Sequence, residues 1–66
     1  SDYPVPEELD AKFEQDPSFK EAFASLTPGR QRGYLLYFAQ AKQSATRTSR
    51  IEKFVDHIFK GKGYQE

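Results

Sequence analysis

Cysteine is absent from this 66-residue chain, which excludes disulfides, thiolate zinc sites and cysteine nucleophiles and leaves the redox compartment unreadable. No apolar run approaches the ~20 residues that a membrane-spanning helix needs, and no secretory leader is visible. The expectation is therefore a cytoplasmic protein with no membrane span. β-Branched aliphatic residues are scarce, with Val5, Val55, Ile51 and Ile58 alone, and no stretch alternates cleanly, so strand signals are nearly missing. Net charge is missing too. Ten basic and ten acidic residues cancel, and no net positive field steers phosphates in, which weighs against strong nonspecific nucleic-acid binding.

What is present fits one compact domain. Apolar residues make up 36 % of the chain, including six Phe and four Tyr. That suffices for one small core and is too little for a core plus a deep pocket. The chain opens on Ser1 rather than Met, which reads as a piece of a longer protein.

Helical spacing occurs four times, so the expected fold is all-α, a compact bundle of about four short helices. Residues 1–6, with Tyr3-Pro4-Val5-Pro6, read as an extended, linker-like lead-in. Helix 1 is expected over Pro6–Gln15, with Leu9 and Phe13 as its stripe and Glu7 and Glu8 complementing the helix dipole. Asp16-Pro17 is a cap followed by a first-turn proline. It opens helix 2, where Phe19, Ala22, Phe23 and Leu26 share one face. Thr27-Pro28 repeats that signal and opens helix 3, expected to reach Lys42 or Gln43. Its stripe is Tyr34, Leu35, Phe38 and Ala41, with Leu36 nearly opposite and Tyr37 to one side. A helix apolar on more than one face reads as central in the bundle. Ser44 or Thr46 caps helix 4, which carries Ile51, Phe54, Val55, Ile58 and Phe59 on one face and ends at Gly61 as the C′ glycine. The domain is thus expected over residues 7–62, with 63–66 as a frayed tail.

Charge is distributed unevenly. Residues 1–26 hold seven acids and two lysines, a balance of −5, and residues 27–66 hold eight bases and three acids, a balance of +5. Either the two halves fold against each other and pair, or the basic half presents a surface to an acidic partner or a nucleic acid. The basic residues concentrate at the starts of helices 3 and 4, where the dipole disfavours cations unless an anion is near. Arg47 and Lys42 lean toward the core stripes, and a core-leaning cation needs a partner. Two readings stay open. In one, Arg47 pairs with a carboxylate of helix 1 or 2, such as Glu14, Asp16 or Glu21. In the other, Arg30, Lys42, Thr46, Arg47 and Arg50 line a site for phosphate, a nucleic-acid backbone or a partner's carboxylate. Leu36 and Tyr37 form a candidate interaction patch unless helices 1 and 2 cover them. Tyr34, Tyr37 and Tyr64 among the basic residues suit core rim better than base stacking.

Chemistry finds no foothold. His57 is the sole histidine and lies on the polar side of helix 4, so no metal site is expected. No serine has a base at helical spacing, and no catalytic residue is assigned. No cofactor is implied.

Leu26-Thr27-Pro28-Gly29-Arg30-Gln31-Arg32-Gly33-Tyr34, then Ala41-Lys42, Thr46-Arg47 with Arg50-Ile51, and Gly61-Lys62-Gly63 together resemble the bacterial YdeI/OmpD-associated (OmdA) family. Many relatives carry Glu before the Thr-Arg pair, where this chain has Ala45. The resemblance implies a small helical module at the C-terminal part of a longer bacterial protein, linked by family label to bacteriocin protection and antimicrobial-peptide resistance. It implies no chemistry. The expected role is a non-catalytic interaction or scaffold module whose partner is another protein or its own missing N-terminal domain. The alternative is a phosphate- or nucleic-acid-binding module using the basic helix starts.

Overall fold

The computed structural model describes residues 4–66. Tyr3, the first aromatic of the lead-in, falls outside them. The elements are α1 (Glu7–Gln15), α2 (Pro17–Ala24), α3 (Pro28–Ala39), α4 (Ser44–Lys53) and α5 (Val55–Phe59), and no strand occurs among the described residues. The protein is an all-α bundle of 26 × 23 × 22 Å. Among the described residues, no helix is long and apolar enough to cross a membrane.

Local signals start the first three helices. The Pro6 carbonyl accepts from the amides of Leu9 and Asp10 with Pro6 itself extended (ψ 142°), one position ahead of the helix it opens. The Asp16 carboxylate accepts from the Phe19 amide at 3.1 Å, and the Thr27 hydroxyl accepts from the Arg30 amide at 3.3 Å. In both cases proline follows the cap, where its missing amide costs nothing. At the other end, Gly61 adopts φ +76°. The Gly61 amide bonds to the Ile58 carbonyl and the Lys62 amide to the His57 carbonyl, the paired geometry of a Schellman stop.

Two boundaries differ from the expectation. Helix 3 stops at Ala39, short of Lys42. The chain turns there so that Ala41 is buried and its carbonyl accepts from Arg47 Nη1 at 2.9 Å, a tertiary bond that a continued helix would forfeit. Helix 4 is broken in two. At Phe54 the backbone moves to φ −105°, ψ 10° and its amide bonds three residues back, to the Ile51 carbonyl. Neither Ser44 nor Thr46 caps α4. Gln43 precedes it without a side-chain cap, and the Ser44 hydroxyl donates to Glu8 instead.

The core is aromatic and centred on Tyr34. Its ring lies 5.7 Å from Phe38, 5.8 Å from Phe54 and 6.3 Å from Phe23. Leu9, Phe19, Leu26, Leu35, Ile51 and Ile58 complete it. The Tyr34 hydroxyl is satisfied by donating to the Lys62 carbonyl at 2.6 Å, and no buried side-chain polar atom among the described residues lacks a partner. α3 places the middle of this core, but it is not enclosed all round, because Leu36 remains 48 % exposed.

Residues 63–66 are docked rather than frayed. Gly63 is buried, the Tyr64 ring stacks on Tyr37 at 5.2 Å and 18°, and Glu66 pairs with Arg30 at 3.1 Å. The bond from Tyr34 to Lys62 holds the chain where this docking begins.

The two sides of α3 are expected to respond differently to truncation. Phe38→Ala opens a cavity beside Tyr34 and should cost about 3–5 kcal/mol, whereas Leu36→Ala should stay within about 0.5 kcal/mol. Urea unfolding of both variants checks this, and equal losses would contradict the one-sided packing.

Candidate functional site

The cations singled out by sequence lie at the two ends of α3, and the charge of each end explains where they go. The last turn of a helix carries unpaired carbonyls and partial negative charge. Arg47 and Arg50, both on α4, supply it with donors. Arg50 Nη1 bonds the Tyr37 carbonyl at 2.7 Å, and its guanidinium lies over the Tyr37 ring, 4.6 Å from the centroid. Arg47 Nη1 takes the Ala41 carbonyl just beyond the helix. Arg47 follows the first turn of α4 and Arg50 lies in its last turn, and both complement the negative end of α3.

Arg47 has a second role. Its Nε and Nη2 donate to the two carboxylate oxygens of Glu8 at 2.7 and 2.9 Å, a bidentate fork. Ser44 Oγ donates to the same carboxylate at 2.6 Å. The side chains of Arg47 and Glu8 are only 22 % and 9 % exposed. The Arg47 fork, then the Ser44 hydroxyl, hold the Glu8 carboxyl down at about 2, against an ordinary 4.5. Glu8 in turn raises Arg47 and keeps it charged.

The carboxylate partner is thus Glu8 of α1, and not Glu14, Asp16 or Glu21. Glu14 and Glu21 are exposed, and Asp16 is occupied as the α2 cap. One turn after Glu8, Lys12 pairs with Glu52 at 3.3 Å. Two rungs of opposite polarity therefore set α1 against α4. The sequence contained a signal for this, since Glu8 and Lys12 are four apart and share a flank of α1 beside Leu9.

The five proposed anion-site residues do not converge. Arg30 sits at the other end of α3, ~16 Å along the axis from the Ala41 turn at 1.5 Å per residue. It is engaged by Glu66 through Nε. Lys42 and Thr46 are exposed and enter no hydrogen bond or ion pair between side chains among the described residues. The candidate patch also divides. Leu36 is open, but Tyr37 is half-buried between Arg50 and Tyr64. His57, expected on the polar side, is half-buried with its ring 5.2 Å from Phe54. No group of three or more potential metal ligands comes together among the described residues.

An open face remains. Gly29, Arg32, Leu36 and Ala39 form the exposed side of α3. At its Ala39 end it meets Pro4 and Val5 around a shallow groove of about 200 Å³ that Glu8 and Arg47 also line. Val5 is 43 % exposed. Arg32 has no ion-pair partner among the described residues.

The charge knot generates a pH dependence. Glu8 is depressed in the folded chain, so its stabilisation is present above 4.5 and is lost as the pH falls through about 2. Glu66, lowered by the Gly63 amide and then by Arg30, acts in the same direction. Thermal unfolding across that range should show stability declining from 4.5 downward. Glu8→Gln should melt lower at neutral pH, by more than about 5 °C, and approach the parent at the acid end. A constant difference at every pH would contradict this.

Comparison with known proteins agrees with the motif. A family model described as "Bacteriocin-protection, YdeI or OmpD-Associated" (OmdA) matches residues 2–61. The chain is 60 % identical over 62 residues to "Uncharacterized protein YdeI" of Bacillus subtilis (strain 168), a match covering 94 % of this chain and 32 % of that protein. The chain thus spans about a third of the length of that relative. No solved structure matches. The chain belongs to the OmdA family.

Proposed function

We propose that this member of the OmdA family is a non-catalytic interaction module, and that the open face of α3 docks it against the rest of a longer protein. The observation that carries this reading is Leu36, 48 % exposed in the middle of a face with Arg32 and Ala39, and extended by Val5. A large apolar side chain left in water is a natural anchor for a partner, and Leu36, unlike the equally exposed Phe59 on α5, has a second exposed apolar residue, Val5, near its face. The occupant is suggested by length, because two thirds of the Bacillus subtilis relative lies outside the match. Arg32 and Lys42 favour a partner surface that brings carboxylates to the rim. Through the family description we extend the proposal to a protein associated with bacteriocin or antimicrobial-peptide protection, with the module as scaffold rather than effector.

A phosphate or nucleic-acid site has less support. Three of its five residues direct guanidinium donors into the chain, onto Glu66, Glu8, Ala41 and Tyr37. The net charge of zero provides no compensating field.

The test uses the isotope-labelled chain with the unmatched two thirds of the Bacillus subtilis relative, produced separately. Amide shifts should cluster on Val5, Arg32, Leu36 and Ala39 and persist at raised salt. Leu36→Asp should reduce binding at least tenfold while moving the melting temperature little. The relative's own matching segment serves as the positive control. If that segment binds through other residues, or if Leu36→Asp binds normally, the open face is not the docking surface.

A further inference from the structure

A second flank of α3, formed by Arg30, Gly33 and Tyr37, is covered by residues 63–66, and the manner of covering is that of a ligand. The segment closes in a tight turn, with the Glu66 amide bonded to the Gly63 carbonyl at 3.1 Å. The Gly63 amide also donates to Glu66 Oε1 at 3.0 Å. This turn directs the Tyr64 ring and the Glu66 carboxylate at the same flank. Tyr64 stacks on Tyr37 at 5.2 Å and lies so close to Gly33 that a Cβ there would stand 3.3 Å from the ring. Arg30 Nε meets both carboxylate oxygens of Glu66, at 3.2 and 3.1 Å.

The contact is specific in chemistry, and its ion pair is open to water. Arg30 and Glu66 are 39 % and 48 % exposed, a level at which an ion pair competes with water and salt. The segment fills the flank incompletely. A groove of about 510 Å³ remains between it and the wall made by Thr27, Gly29, Arg30 and Gly33. The Tyr34 bond to the Lys62 carbonyl anchors the tether at its base. The receiving residues lie within the family match, which ends at residue 61, and the occupant lies beyond it.

We propose that this flank is a peptide-recognition groove, that residues 63–66 are its tethered occupant, and that it takes in their place a peptide with an aromatic ring two residues ahead of a carboxylate. Tyr37 receives the ring by stacking, Gly33 leaves room for it, and Arg30 receives the carboxylate. The tethered segment sets a threshold, because its local concentration is in the millimolar range and a free peptide must compete with it. The site is separate from the open face of α3, so neither reading depends on the other.

The full chain carrying Tyr64→Ala and Glu66→Gln removes the ring and the carboxylate from the groove, and the probe is a free hexapeptide with the sequence of residues 61–66. Nuclear magnetic resonance titration should show saturable shifts at the Arg30 side chain, Gly33 and Tyr37. Affinity should exceed that of the parent chain at least tenfold and weaken with salt. Probe peptides lacking the ring or the carboxylate should bind at least several-fold more weakly. Equal affinity for parent and variant, or shifts elsewhere, would overturn the proposal. So would inorganic phosphate reproducing the full pattern, Tyr37 included, since that identifies a bare anion site. Should the double variant fail to fold, Glu66→Gln alone preserves the stack. It must then bind the peptide more tightly than the parent, and failure to do so overturns the proposal equally.

Discussion

The contact between Arg47 and Glu8 is the constraint on which the arrangement of helices depends. One guanidinium binds the carboxylate of α1 through two nitrogens and the carbonyl of Ala41 through the third. A single planar group thereby fixes where α1 lies, where the chain leaves α3 and how α4 begins. Its geometry explains why an arginine stands there, since a lysine offers a point charge and no fork. Arg50 adds a clamp on the last turn of α3, so that both arginines of the Thr-Arg-x-x-Arg motif meet the negative end of that helix. A motif that resembles an anion cradle in one dimension is a helix-end clamp in three.

Features decided within four or five residues were legible in the sequence. Asp16-Pro17 and Thr27-Pro28 open helices as caps with first-turn prolines, and Gly61 closes the last one in a left-handed turn. The buried stripes of α2 and α3 follow the same spacing that the sequence displays. Features decided by distant residues were not legible. Ala39 ends α3 because Arg47 claims the Ala41 carbonyl. α4 and α5 separate where Phe54 meets Tyr37 edge-on at 5.3 Å and Tyr34 at 5.8 Å. Glu8 reads locally as a complement to its own helix dipole, and only its place opposite Arg47 reveals the second role. The docking of Tyr64 and Glu66 required Gly33 and Arg30 to face the same way, which the three polar-looking residues after Gly63 do not announce.

The two oppositely charged halves of the chain do meet, at Glu8–Arg47 and Lys12–Glu52. These pairs leave much of the asymmetry on the surface, with Glu7, Asp10, Glu14 and Glu21 exposed on α1 and α2 and Arg32, Lys42, Lys53, Lys60 and Lys62 exposed along the rest of the chain. α3 carries three kinds of surface on one rod. One side builds the aromatic core, a second is covered by residues 63–66, and a third is left open around Leu36. The most conspicuous sequence motif holds the fold and lies outside the open side.

That division is tested most directly at the arginine side chains themselves. The measurement is a titration of the labelled chain with a short DNA duplex, a single strand and pyrophosphate at low and moderate salt, following the Nε–H signals of Arg47 and Arg50. The expected result is that neither signal moves and that the Arg47 signal keeps the slow exchange of a proton held by Glu8. Salt-sensitive shifts at Arg47 and Arg50, joined by Lys42 and Thr46, would contradict the account and turn the helix-end clamp back into an anion site.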